Sequence, residues 1–554
     1  MKKEINITIF ALWAIPIGIV MGCIFNIVLK IIINLIPQMQ LYVPYTGVRL
    51  IIDVAIFVWG MIIFKNIIDY KFKNRRKFGR AEADISSDKR KAMYPDVPKR
   101  YLSKIPDGFT LGKCGRKYFR LPVDTNDITH ACIIGAPGSM KSSTLLNALI
   151  YNFNLAKEKF TVFALDVKPE LAKKSIDTSS EQCHVFNPSG FDEWGWDVWY
   201  GLNDQSTEDE IIERADSISR SIIVNNNPDS NEFFYQAAQN LLVAFLAWGF
   251  TTGLKFTETI IQVISVPVQD LIATVCLDEK MKGHDSITGI LKGYDGKDSN
   301  AMQDVEMTLR SELRIFQTKS VRYQFDENNK QACPMDLTNN ISVFLAIPDN
   351  LLKQYAAIFR LITQQTLNYL SSIPEWERAN EEVSMIWLLI DEFGSIGNVP
   401  DILDALARLR SRKVSIWLAV QGLSQLDMVY GHDGSRAIID NTETTLVFSC
   451  KDKATAEMIS AWCGTYEETK ISKNKKPGKM MGGCQSLGES SEFRNVMDVV
   501  DIMNLRKNKE LLVFDSGNRY LIEKCPYFMV PVLKNISDHV NSKKIKIGQK
   551  RDRI

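Results

Sequence analysis

The run His130-Ala131-Cys132-Ile133-Ile134 leads straight into Gly135-Ala136-Pro137-Gly138-Ser139-Met140-Lys141-Ser142, and a helix-like segment follows from Ser143 to Tyr151. A buried strand, a tight glycine turn and a helix, with no spacer between them, leave the chain few architectures other than an α/β sheet with helices on its faces. The loop has the form G-x-x-x-x-G-K-[ST] in all but one position. Its glycines let the backbone wrap a pyrophosphate, while N–H groups at the helix start and the Lys141 ammonium face the anion. Ser142 would set its hydroxyl on Mg2+. Met140 stands where the pattern has its second glycine, which makes Met140→Gly the substitution expected to tighten nucleotide binding.

A second run, Ser384-Met385-Ile386-Trp387-Leu388-Leu389-Ile390, has the length and the unbroken apolar character of a strand buried on both faces of a parallel sheet. It ends in Asp391-Glu392. Carboxylates at the carboxyl end of such a strand lie where open α/β sheets bind ligands. Asp391 is expected in the Mg2+ shell, and Glu392 is expected to orient and deprotonate the attacking water. Together the two motifs indicate an NTPase with ATP and Mg2+ as cofactors. The nucleotide-binding residues are Gly135, Ala136, Pro137, Gly138, Ser139, Met140, Lys141, Ser142 and Ser143; the metal ligands are Ser142 and Asp391.

The 554 residues give ample room for several domains, and a formal net charge of +2 excludes a polyelectrolyte. Any nucleic-acid contact must come from local patches. Ten cysteines are scattered without a C-x-x-C pair, as expected of reduced thiols, and five dispersed histidines make no zinc pattern.

Residues 1–75 read as a transmembrane hairpin with a basic flank. Ile7 to Val28 is long enough to span a bilayer, and Leu50 to Phe64 is a second, shorter candidate. Lys2 and Lys3 lie on one flank, Lys65 to Lys77 carries six basic residues on the other, and the Pro37–Gly47 link has no charge. The positive-inside rule then places both termini and the body in the cytoplasm, in a multi-pass cell-membrane protein.

The body divides into a first nucleotide-binding part (76–202), an all-α insertion (203–335), a second nucleotide-binding part (336–535) and a basic tail (536–554). Strands are expected at Gly108–Leu121, Phe160–Leu165, Ile341–Ala346, Ser415–Val420, Thr445–Phe448 and Glu510–Phe514; helical periods cover Ile211–Ile223, Phe233–Trp248, Thr259–Leu277 and Ala301–Phe316. Gln421 ends one strand, either beside the γ-phosphate or as a simple strand-end cap. Asp166 and Lys168 end another, either lining the nucleotide edge or forming a capped turn. The Lys- and Gly-rich stretch from Thr465 to Glu489 reads as a surface loop, solvated or touching a phosphate backbone.

In order and spacing these pieces resemble the TraG/TraD-like coupling-protein ATPases of conjugative type IV secretion systems. The resemblance rests on Phe78-Gly79-Arg80-Ala81, the phosphate loop, Asp166 to Leu171, Phe186-Asn187-Pro188, Trp196 to Trp199, Asp391-Glu392-Phe393, Arg410-Ser411-Arg412, Gln421 to Leu426, Tyr430-Gly431, Arg494 and Tyr527-Phe528. It implies a membrane-anchored, RecA-like P-loop ATPase, assembled as a homohexamer, that receives a relaxase with single-stranded DNA and delivers it to the secretion channel proteins. It further implies catalytic roles for Lys141, Glu392 and Gln421, with Arg410 as the arginine finger reaching a neighbour's site and Arg412 and Arg408 behind it. Two other readings fit the motifs: a membrane-tethered translocase of double-stranded DNA, and a nucleotide-dependent receptor that hydrolyses weakly.

Overall fold

The computed structural model describes residues 93–122, 129–177, 180–191, 194–225, 232–296, 300–378, 383–474, 486–505 and 509–540. The expected membrane hairpin, the Phe78–Ala81 segment and residues 541–554 of the basic tail lie outside these residues. Among the described residues no helix is long and apolar enough to cross a membrane.

The strands, in chain order, are β1 (Leu102–Ser103), β2 (Phe109–Cys114), β3 (Lys117–Leu121), β4 (Ala131–Ile134), β5 (Thr161–Val167), β6 (Cys183–Phe186), β7 (Gly195–Trp196), β8 (Gln331–Ala332), β9 (Ser342–Ile347), β10 (Ile386–Ile390), β11 (Val414–Val420), β12 (Thr444–Val447), β13 (Thr465–Asn474), β14 (Ser486–Asn495), β15 (Glu510–Asp515) and β16 (Asn518–Lys524). Twelve of them form one sheet in the order β1-β3-β2-β16-β15-β12-β4-β11-β10-β5-β9-β6. From β12 to β6 the pairing is parallel; from β15 outward it is antiparallel. Every residue of β4, β5, β9, β10 and β11 is buried, as their unbroken apolar runs require.

The strand order positions the site. The loop strand β4 and the acidic strand β10 both pair with β11. Their carboxyl ends therefore lie side by side, about 5 Å per strand apart. One sheet face packs the helix Lys141–Asn154, through Leu145, Leu146 and Leu149, against Trp387 and Trp417 in one core; the other shares a core with the helices between Glu208 and Leu313.

Those helices are bracketed by β7 and β8, which pair with each other outside the main sheet. The Trp196 landmark is explained here: its ring is fully buried and its Nε1 donates to Gln365 Oε1 (2.7 Å), closing the base of the insertion onto the helix Ala356–Ser372. Arg360, on the same helix, is buried and donates to the carbonyls of Ser221 (3.0 Å), Ile222 (2.9 Å) and Ile396 (2.9 Å). It thereby ties the end of the insertion's first helix, Glu208–Ile222, to the segment after Glu392.

Two expectations are corrected. The period from Thr259 to Leu277 is not one helix but two, Phe256–Ser265 and Val268–Leu277, because Pro267 has no N–H to give the first and instead precedes the start of the second. The stretch expected to be a loop from Thr465 onward forms the antiparallel ribbon β13–β14, paired from Thr465↔Asn495 to Asn474↔Ser486. A two-stranded ribbon apart from the main sheet does not need the apolar alternation that marks a half-buried strand, so the polar sequence concealed it. Residues 475–485, including Lys475, Lys476 and Lys479, lie outside the described residues.

Candidate nucleotide site

The loop after β4 is held by its neighbours on both sides. Gly135 N–H donates to the Val420 carbonyl at the end of β11 (2.9 Å), and Ala136 N–H donates to Ser449 Oγ (3.0 Å). Gly135 has no room for a side chain: a Cβ there would lie 2.7 Å from Ser139 Oγ and 3.0 Å from both Lys141 Cδ and Phe448 Cβ. Met140 is the N-cap of the helix Lys141–Asn154 and adopts φ 72°, ψ 22°, the left-handed region. That conformation is why the loop pattern carries glycine here, and a methionine holds it against a steric cost of about 1–2 kcal/mol.

Lys141, Ser142, Asp391, Glu392 and Gln421 come together at the carboxyl edge. Ser142 Oγ lies 3.3 Å from Asp391 Oδ2, and Lys141 Nζ lies 3.7 Å from Glu392 Oε1. Gln421 Nε2 donates to Glu392 Oε2 at 2.9 Å, so the glutamine faces the site rather than capping its strand. Burial pushes the Asp391 carboxyl up to about 6, against the pull of the Lys141 charge. Glu392 also sits in the left-handed region (φ 57°, ψ 41°), on the short turn that begins the Phe393–Ser395 helix. Phe393 anchors that turn, fully buried and stacked on Tyr430 at 5.6 Å. Strain of this kind persists where surrounding packing fixes it, as it does in working sites.

The buried atoms left without hydrogen-bond partners test whether Mg2+ and a nucleotide fit. Lys141 Nζ, Ser139 Oγ and Asp391 Oδ1 are such atoms. An ammonium and a carboxylate oxygen buried beside a glycine-lined anion loop are expensive unless something satisfies them. A phosphate against Lys141 and the loop amides, with a divalent cation between Ser142 and Asp391, does so. The donor set fits the expected ligands.

The remaining expected residues separate. Ser143 is half-buried at the helix start. The Asp166 carboxylate accepts from the N–H groups of Glu170 (3.0 Å), Leu171 (2.8 Å) and Ala172 (3.2 Å), which makes it the capped turn, while Lys168 is exposed. Arg410 lies before β11, at the opposite edge of the sheet, paired with Glu443 at 3.0 Å. Within one chain it does not join Lys141.

One contributor was missed by sequence reasoning. Lys524, almost fully buried at the end of β16, donates to the carbonyls of Ser139 (3.2 Å) and Phe448 (2.6 Å) and so braces the phosphate loop from behind. Its signal is the alternation of β16, where Tyr520, Ile522 and Lys524 are the buried positions.

A family described as "Type IV secretory system Conjugative DNA transfer" matches residues 82–550. The chain is similar to protein VirD4 of Agrobacterium fabrum, 21% identical over 517 residues that cover 89% of this chain and 71% of the relative. VirD4 of Rhizobium rhizogenes is 23% identical, over 74% of this chain and 60% of the relative. Among solved structures, the unbound bacterial conjugative coupling protein TrwBdeltaN70 matches with a TM-score of 0.55 at 16% identity, covering 80% of this chain and 96% of that one. Plasmid coupling protein TrwB in complex with the non-hydrolysable ATP analogue ADPNP matches at 0.56 and 17%, covering 78% and 96%. TrwB in complex with ADP and Mg2+ gives the same score and identity, covering 80% and 92%. At these identities the structural likeness is one of fold, and the family match extends over most of the sequence: the chain belongs to the type IV secretory system conjugative DNA transfer family.

Proposed function

We propose that this protein is the ATP-driven coupling protein of a conjugative type IV secretion system, which takes relaxase-bound single-stranded DNA and passes it to the transfer channel. The observation that carries the reading is the buried Lys141 ammonium, paired with Glu392 at 3.7 Å but without a hydrogen-bond partner, beside the Ser142–Asp391 contact at the edge where β4, β11 and β10 end. The complexes of TrwB with ADPNP and with ADP and Mg2+ support nucleotide and metal as the ligands.

In this reading Lys141 and the loop amides bind the phosphates, and Ser142 and Asp391 hold the cation. Bound Mg2+ neutralises charge on the phosphoryl group being transferred. Glu392 accepts the proton of the attacking water, and Gln421, bonded to Glu392, orients that water. Arg410 of a neighbouring subunit in a homohexamer adds positive charge at the phosphoryl group being transferred. The hydrophobic segments Ile7–Val28 and Leu50–Phe64 anchor the assembly in the cell membrane with both termini and the ATPase body cytoplasmic, a reading supported by the charge asymmetry around them.

The test is ATP turnover by the full-length chain with and without single-stranded DNA. Lys141→Ala and Glu392→Gln should each remove the DNA-stimulated rate. Unchanged hydrolysis in both variants would refute the site, and translocation along duplex DNA would replace the single-strand reading with that of a double-strand motor.

A further inference from the structure

Gln425 is the third residue of the helix Leu423–Asp440 and is only partly buried. Its Oε1 accepts the backbone N–H of Gln421 (3.1 Å), and its Nε2 donates to Ser395 Oγ (3.3 Å). The side chain thus joins the residue after β11 to the turn that follows Glu392. The fit is close: a Cβ on Gly394 would lie 2.6 Å from both Cδ and Cγ of Gln425, so glycine at 394 is what lets the amide lie across that turn.

The first bond is a variant of the capping box, in which the third helical residue reaches back to the chain before the helix. Capping explains neither the bond to Ser395 nor the absence of a side chain at 394. Gln421 and Glu392 are themselves bonded (2.9 Å), so the two Gln425 contacts close a ring: Glu392, Gln421, Gln425, Ser395 and back along the turn to Glu392. Glu392 is in a left-handed conformation that it would not hold unaided, and this ring fixes the height and direction of the turn that presents it.

Gln425 also faces outward. With Gln421, Ser395, Arg314 and Lys353 it lines a cleft of about 780 Å3 between the helical insertion and the sheet. The cleft is lined by the ring members Ser395, Gln421 and Gln425 and by no residue of the phosphate loop.

We propose that Gln425 is a positioning residue for ATP hydrolysis, holding Gln421 and the Glu392 turn in register and linking that register to the cleft beneath the insertion. The inference rests on the proposed ATPase reading. It concerns the turnover step and not nucleotide capture, since the Gln425 side chain bonds to Gln421 and Ser395 and not to Lys141 or the loop.

Three variants of the full-length chain test it: Gln425→Met, which keeps length and removes both bonds; Ser395→Ala, which removes one; and Gly394→Ala, which displaces the Gln425 amide without altering it. Loss of register at a reacting group lowers rate steeply, so kcat should fall about tenfold or more in Gln425→Met and Gly394→Ala, and less in Ser395→Ala. KM for ATP should stay within about twofold, a split that a merely structural cap would not produce. Turnover that Glu392→Gln abolishes but Gln425→Met leaves within about twofold would overturn the inference alone, as would a loss confined to KM. Absence of turnover in the unaltered protein would overturn the ATPase reading and this inference with it.

Discussion

The left-handed Met140 gives the structure's most direct test. A non-glycine residue in that region carries about 1–2 kcal/mol of steric strain, and glycine carries none. Against this, glycine gives up roughly 0.5–1 kcal/mol more backbone entropy on ordering. The difference leaves Met140→Gly about 0.75 kcal/mol more stable locally, or about three- to fourfold slower amide exchange across residues 139–144 if the loop exchanges by local opening. Exchange is the right assay because a chain with an inserted helical layer need not unfold in two states. Met140→Ala is the control: it retains Cβ and therefore the strain, so it should not slow exchange. A change in nucleotide affinity of no more than about threefold, less than 0.7 kcal/mol, would mean that the strain relief is common to the free and bound forms. Faster exchange in Met140→Gly, or equal slowing in Met140→Ala, would refute the strain argument. A tenfold gain in affinity would show that the free loop does not keep this conformation.

Three further outcomes follow from the same contacts. Gly135→Ala should abolish nucleotide binding measured by calorimetry, since its methyl displaces Ser139 Oγ and Lys141 Cδ; retained affinity would mean that the loop can shift as a body. Arg360→Met leaves three buried carbonyls without a donor, at about 1–3 kcal/mol each, and should release the helical insertion to limited proteolysis at temperatures where the native protein resists; unchanged cleavage would remove Arg360 from the account. His130 is buried and pushed down to about 4, with its Nδ1 accepting the Ile416 N–H (3.0 Å), so it must stay neutral in the fold. Its unfolded form binds a proton near 6.5, so its contribution is intact above that pH and drains away as pH falls toward 4; it amounts to roughly 2 kcal/mol between pH 7 and 5. His130→Asn should flatten the fall in melting temperature over that interval, and an equal slope in both proteins would refute the assignment.

What the sequence revealed is governed by where each contact lies along the chain. β4, β10 and β11 are buried on both faces, so they appear as apolar runs, and a glycine loop, two carboxylates or a glutamine stands out where each run stops. The place of these groups at the strand ends was legible for that reason. Strand order was not, because parallel pairing depends on segments hundreds of residues apart. Lys524 reaches the loop from 385 positions away; a lysine in a short polar strand carries no mark of its target. Gln425 looks like any polar residue in the first turn of a helix until Gly394 is seen against it. Pro267 was visible, yet the apolar period ran across it on both sides. The sequence of the β13–β14 ribbon is mostly polar, with β-branched and aromatic residues such as Tyr466 and Ile471 as its trace.

The sheet's two edges bear on how such a site could be completed. Lys141, Glu392 and Gln421 occupy the carboxyl edge, whereas Arg410 and its partner Glu443 precede β11 and β12 at the amino edge. The seven residues of β11 separate these edges by about 23 Å at the usual strand rise. No rotamer of Arg410 spans that distance, so within its own chain it cannot reach the nucleotide. An arginine placed there can act only across a subunit boundary, where the amino edge of one sheet approaches the carboxyl edge of the next. Its present partner would not prevent this. Arg410 is about half exposed and Glu443 about a third, and an ion pair so open to water is worth roughly 0–1 kcal/mol. A phosphoryl group in a dry interface competes easily with that. If Arg410 is the finger, hydrolysis needs a neighbour, and the isolated chain binds nucleotide without turning it over.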